Sequence, residues 1–213
     1  MMCPICEKRP PKRFCPAKGE KICAVCCGEG REVTIDCPLD CSYLISAHRY
    51  EAEHRAPMKP EEYPYKDVRF DQEFVFARWP FVTGIASVIL NFYAQNKDLT
   101  DPLLFSALEA LAETTRTMDS GIIYEHPPDS PTARNLYARI ADYIRGVKKQ
   151  ELEKTGQSTI KDADVFRLLV FLLRVCKRET NGRPRCRSFI AFLRVRFPAP
   201  AEPVAEAPRI IIP

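Results

Sequence analysis

The residues best equipped for chemistry are the cysteines. Ten occur in 213 residues, and eight fall between Cys3 and Cys41 as Cys3-x2-Cys6, Cys15, Cys23-x2-Cys26-Cys27 and Cys37-x3-Cys41. Thiolates so closely spaced, in turns carrying Pro4, Gly19, Gly28 and Pro38, suit tetrahedral zinc. Eight ligands fill two four-thiolate sites, so the expected cofactor is a pair of structural Zn2+ ions. In a cross-brace Cys3, Cys6, Cys23 and Cys26 share one ion, and Cys15, Cys27, Cys37 and Cys41 hold the other. Adjacent Cys26 and Cys27 can exchange these roles, and His48 is the reserve ligand if a cysteine is not used. Four thiolates can also hold an iron–sulfur cluster, and a Cys-x2-Cys pair such as Cys23/Cys26 can cycle as a dithiol. Structural zinc is favoured because a closed four-cysteine site leaves no open position for a substrate.

The same stretch needs metal for a second reason. Its large apolar side chains are few: Ile5, Phe14, Ile22, Val25, Val33, Ile35 and Leu39. A segment this short cannot close a core on them, whereas a structural zinc contributes roughly 10–16 kcal/mol. Thiolate charge exceeds the charge of the metal it binds. Lys8, Arg9, Lys12, Arg13, Lys18 and Lys21 therefore read as counter-charges to sulfur before they read as phosphate ligands.

These residues resemble the small binuclear cross-brace fingers, the HIT-type finger most closely and the B-box and RING finger more loosely. Phe14-Cys15-Pro16 matches the aromatic-Cys-Pro element that follows the first Cys-x2-Cys of the HIT family. Cys23 with Cys26 or Cys27, then Cys37 with Cys41, match its later ligand pairs. Lys18 stands where that family has a further cysteine, and Cys37-x3-Cys41 replaces its closing His/Cys pair. The resemblance covers about a fifth of the chain. It implies a noncatalytic interaction module, usually for proteins and sometimes for nucleic acid. The strings Cys26-Cys27-Gly28 and Asp36 to Leu44 also look like those of uncharacterised bacterial proteins, which bring no function with them.

The elements that must position these ligands can be read in order. Lys18-Gly19-Glu20 suits a hairpin turn, and Glu32 to Asp36 alternates like a short strand. Ser42 to Arg55 reads as a helix leaving the last ligand. His48 and His54 lie about 240° apart around it, too far to grip one metal from the same helix. Residues 1–55 thus form a zinc-binding module with a trailing helix. Pro57, Pro60 and Pro64 make 56–65 a connector. Beyond it, Val68 to Arg78 is open between strand and helix. Phe81, Ile85, Val88, Ile89 and Phe92 recur at helical spacing, and Asp101-Pro102 and Ser130-Pro131 mark helix starts. The Asp101 helix is expected to end near Gly121. Asp162 opens an apolar helix, Asn181-Gly182 turns the chain, and Cys186, Ile190, Leu193 and Phe197 line a last helix. The fold class is therefore mainly α: a zinc-stabilised N-terminal module followed by an all-α bundle of about five helices over 66–197. Residues 198–213, with five prolines and the apolar tip Ile210-Ile211-Ile212, read as a flexible tail.

Net charge is +4, and residues 161–197 concentrate it, with ten Lys/Arg against three Asp/Glu. Arg178, Arg183, Arg185, Arg187 and Arg194 are the candidate polyanion-binding residues. Tyr124-Glu125-His126-Pro127-Pro128-Asp129 pairs a carboxylate with an imidazole, but no third group is tied to them and a rigid loop explains them better. Cys186, between two arginines, has the setting of an activated thiol, although its apolar line favours burial. No run is long and apolar enough for a membrane span. The expectation is a cytoplasmic zinc protein that binds a protein partner, with nucleic acid second and thiol-redox or hydrolytic catalysis third. The bundle offers a surface for homo-oligomer contacts.

Overall fold

The computed structural model describes residues 2–119, 125–157 and 160–197. Gly121, Tyr124 and the tail 198–213 with its Ile210–Ile212 tip lie outside them. Among the described residues, eight α-helices and one two-stranded sheet make the chain mainly α, as its apolar periodicity predicts.

The N-terminal part is small and turn-rich. Strands β1 (Arg13–Cys15) and β2 (Glu20–Ile22) pair antiparallel, Arg13 opposite Ile22 and Cys15 opposite Glu20. Gly19 makes the turn between them at φ +70°, a conformation that costs glycine little. Helix α1 (Ala24–Gly30) follows at once, and α2 (Ser42–Glu53) starts directly after Cys41. Between the helices, Arg31 to Ile35 form an isolated bridge around a tight turn in place of a strand. The apolar contribution is thin: Ile22, Ile35 and Leu44 are buried, and the rest of this small core is sulfur.

The remaining helices form the body. Asp71 accepts the Phe74 N–H at 2.7 Å and caps α3 (Gln72–Ala77), which resolves the strand-or-helix ambiguity there in favour of helix. Helices α4 (Trp79–Gln95), α5 (Asp101–Asp119), α6 (Pro131–Thr155), α7 (Asp162–Glu179) and α8 (Ser188–Arg196) follow. The body thus has six helices, one short helix beyond the expected number. Helix α6 stops at Gly156, which adopts φ +72°. Helices α5 and α7 pack along one another as the centre, α6 lies against α4 and α5, and α8 packs against α4, α5 and α7. Ile85, Ile89, Leu104, Leu108, Leu136, Ile140, Leu168, Leu169 and Phe189 are fully buried between them.

The connector is tied down by arginines. Arg174 of α7 donates to the carbonyls of Pro64, Tyr65 and Val68 at 3.0, 2.5 and 2.9 Å. Arg167 donates to the Arg69 carbonyl, and Arg55 reaches the carbonyls of Arg178 and Glu179 at the end of α7. Among the described residues, no helix is long and apolar enough to cross a membrane.

Candidate metal centre

The first ligand turn is built by backbone. Glu7 N donates to the Cys3 carbonyl at 2.8 Å, and Glu7 takes φ +52° to close the turn. This folds the N–H groups of Ile5 and Cys6 toward the Cys3 sulfur and those of Lys8 and Arg9 toward the Cys6 sulfur. The hairpin then delivers Cys23 beside them. Cys23 N donates to Cys3 Sγ at 3.2 Å, and Cys23 Sγ, capping α1, accepts the Cys26 N–H at 3.4 Å. Cys3, Cys6, Cys23 and Cys26 come together with all their sulfurs within 4.8 Å of one another.

Sulfurs bound to one zinc at about 2.3 Å stand about 3.8 Å apart at tetrahedral angles. Cys6 and Cys23 are 3.9 Å apart, and all four residues are free thiols. The donor set therefore fits zinc in number, type and spacing.

The electrostatics agree. Burial pushes the Cys3 thiol up, but the amides of Cys23, Cys6 and Ile5 and the Cys23 thiol outweigh it, and the group settles at about 6. The Lys8 amide leads in lowering Cys6. Burial, followed by the other three sulfurs, pushes Cys26 up to about 12. Four thiols this close cannot all ionise against one another, and a bound cation would displace the remaining protons to solvent. Arg9, whose pKa is raised first by its contact with the Cys23 sulfur and then by the charges of Cys6 and Cys23, is a counter-charge to the cluster.

The other four cysteines share the apolar cluster of the module. Cys15 ends β1, Cys27 is in α1, and Cys37 and Cys41 flank the turn before α2. Burial and the neighbouring Cys41, Glu32 and Cys15 push the Cys37 thiol up. Arg13 donates to Cys27 Sγ at 3.7 Å. Among the described residues, Cys3, Cys6, Cys23 and Cys26 are the only group of three or more possible ligands whose ligand atoms all lie within 4.8 Å of one another.

The arginines are placed unlike a bare basic patch. Arg187 is only 3% exposed: it donates to the Leu99 and Lys97 carbonyls at 2.9 and 2.7 Å and to Asp36 Oδ1 at 2.5 Å. Its guanidinium is committed inside the chain, which corrects its reading as a surface cation. Arg183 lies 3.4 Å from Glu51 and 4.0 Å from Glu32, Arg185 lies 3.9 Å from Asp36, and Arg178 bonds Glu179. Arg194 is exposed and borders a groove of ≈ 770 Å³ between Asp36–Asp40 and the α4 end, with Leu39, Leu90 and Tyr93 on its wall. Glu125 and His126 both lie on the surface. His54 stacks on Tyr50, while His48 faces the Glu32 carboxylate at 3.0 Å. Cys186 is fully buried, and burial followed by Asp101 pushes its thiol up to about 11, the opposite of activation.

Glu32 and Asp101 hold positions that the sequence did not reveal, Glu32 having read as part of a strand and Asp101 as the start of its own helix. Both are buried carboxylates, at 0% and 1% exposure. Asp101 accepts the Phe189 and Ile190 N–H groups at 2.8 and 3.2 Å, capping α8 from a different helix. Nothing among known protein families, curated proteins or solved structures matches this chain.

Proposed function

We propose that this chain is an intracellular zinc-binding interaction protein, its N-terminal module presenting a metal-stiffened surface to a protein partner. The observation that carries this reading is the closed four-thiol cluster of Cys3, Cys6, Cys23 and Cys26. It is complete without a water or substrate position, which is the design of a structural site and not of a catalytic one. In the proposal Cys15, Cys27, Cys37 and Cys41 hold a second zinc. The succession of ligand turn, hairpin and short helix is that of a treble clef. Ligand thiols must stay reduced, which suits the cytoplasm of a bacterial cell.

The partner-facing residues in this reading are Ile5, Phe14 and Val25. They are 47%, 54% and 38% exposed on the ligand turn, the hairpin and α1, although apolar. Polyanion binding is the second reading, and it rests on Arg178 and Arg194, whose side chains are exposed. Metal analysis of the purified chain by native mass spectrometry tests the first claim: two zincs are expected, and the absence of bound metal would end the reading. Ile5→Asp with Val25→Asp should abolish partner capture while leaving the metal content unchanged. Retention on a heparin column that falls steeply with salt, and is lost in Arg178→Ala/Arg194→Ala, would transfer the argument to nucleic acid.

A further inference from the structure

Glu32 sits where the two parts of the molecule meet, and its position is set from the metal side. Cys23 and Cys26 hold the first turn of α1, and Gly30 ends it. The Gly30 carbonyl collects the N–H groups of Val33, Thr34 and Ile35 at 3.2, 3.1 and 2.8 Å. That tight turn drives Glu32 to φ +54° and full burial. A Cβ on Gly30 would approach Ile35 Cδ1 to 2.9 Å, so the turn has no slack.

Glu32 reaches mainly into the helical body. Its carboxylate faces His48 Nε2 at 3.0 Å, accepts Asn181 Nδ2 at 2.8 Å and accepts the Arg187 N–H at 3.2 Å. Its carbonyl accepts the Arg185 N–H at 2.9 Å. Three of these four donors belong to the connection between α7 and α8. The same connection supplies the Cys186 carbonyl to Asp101 N at 2.7 Å, so its shape governs how α8 seats on α5. Burial pushes the Glu32 carboxyl up, but His48, Asn181 and the Arg187 amide hold it below its usual range.

We propose that metal occupancy at Cys3, Cys6, Cys23 and Cys26 is transmitted to the helical body through Glu32, so that the protein responds to metal as well as being folded by it. This rests on the zinc reading above and assigns that site a regulatory consequence. Without metal, α1 loses the anchor at its start and Glu32 leaves its place. The 180–187 connection then loses the acceptors for two backbone N–H groups. Arg183 and Arg185 lose the carboxylates of Glu32 and Asp36, which the N-terminal module supplies. Because linkage is reciprocal, a weakened Glu32 contact must weaken metal binding by the same factor.

The test is amide hydrogen exchange of the full chain with zinc bound, after chelation, and for zinc-loaded Glu32→Gln, with Glu29→Gln, an exposed carboxylate on α1, as the control and metal content measured in parallel. Protection over 180–190 should fall about tenfold on chelation and in Glu32→Gln, with the 131–155 helix unchanged, and zinc affinity of Glu32→Gln should fall by a similar factor. Retained protection over 180–190 in chelated protein, with zinc shown to bind beforehand, overturns the coupling and leaves the zinc reading standing. A chain that takes up no zinc overturns both. Should chelation unfold the whole molecule, zinc-loaded Glu32→Gln decides: lost protection together with a matching fall in zinc affinity supports the proposal, and protection equal to that of Glu29→Gln, or an unchanged zinc affinity, overturns it.

Discussion

Arg187→Ala should be among the most damaging single substitutions outside the apolar core. The guanidinium makes three charge-assisted contacts, to the carbonyls of Leu99 and Lys97 and to Asp36. Hydrogen bonds to a charged group are worth about 1.5–3 kcal/mol each, and a buried acceptor left unpaired costs a comparable amount. Asp36 is 49% exposed and recovers water when its partner goes, so its share is discounted. Leu99, by contrast, is fully buried, and its carbonyl would be left without its arginine donor. The expected loss is about 3–5 kcal/mol, in the range for breaking a buried ionic contact. The backbone bond from Ala191 N to the Arg187 carbonyl survives the substitution, so α8 keeps its first turn. Arg187→Lys retains charge but cannot span three acceptors with one ammonium, and should lose about half as much. Urea unfolding followed by the fluorescence of Trp79, the sole tryptophan, reads this directly because Trp79 stacks on Phe197 at 5.4 Å. Arg194→Ala, an exposed control, should stay within about 0.5 kcal/mol. A loss below about 1 kcal/mol for Arg187→Ala, or a lysine variant as stable as the parent, would refute the reasoning.

Further outcomes follow from other sites. A Cβ at Gly84 would lie 1.7 Å from Tyr143 Oη and 2.2 Å from Cζ, so Gly84→Ala should destabilise by about 1–3 kcal/mol. Tyr143→Phe should not relieve this, whereas in a Tyr143→Ala background the added methyl should cost nothing measurable in denaturant melts. Burial pushes the Asp101 carboxyl up to about 6, against the amides of Phe189 and Ile190 and the Cys186 thiol, which pull it down. Raised above its unfolded value of about 3.9, it holds its proton longer in the folded chain, so this contribution to stability falls as pH rises from about 4 to 6. Asp101→Asn should flatten that slope in urea titrations across the window, although it also leaves one α8 amide without its acceptor. Cys3→Ser should remove one zinc per chain by mass spectrometry and lower the melting temperature of the remainder. A variant that keeps full metal content would break the assignment of Cys3 as a ligand.

Local signals in the chain carried the helices and one metal cluster. Asp101-Pro102 and Ser130-Pro131 lie at the observed starts of α5 and α6, because a proline in the first turn acts locally. The expected side-chain caps do not form, Ser130 making no cap bond and Asp101 spending its carboxylate on α8. Cys3, Cys6, Cys23 and Cys26 were legible for the same reason, each pair being gripped within one turn. Glu32 was not, since its partners Asn181 and Arg187 lie 149 and 155 residues away and no spacing rule reaches so far. Arg187 was misplaced for a related cause. A run of arginines looks identical in sequence whether its guanidiniums face water or buried carbonyls, and only the fold shows Leu99 and Lys97 offering acceptors. Arg167 and Arg174 repeat the lesson, their charge being spent on connector carbonyls. The Val68 to Arg78 stretch stayed open because α3 has only six residues, too few for periodicity to speak.

The arginine ties across residues 55–69 have a practical corollary for anyone cutting the molecule in two. A fragment starting beyond the prolines would keep Arg174 but lose the Pro64 carbonyl, and its α7 would end without the Arg55 guanidinium that stoppers the carbonyls of Arg178 and Glu179. The matching N-terminal piece would carry Glu32 into water with its amide donors left on the other half. What looks like a hinge on paper behaves as a seam stitched from both sides, so severed halves should be soluble only when expressed together.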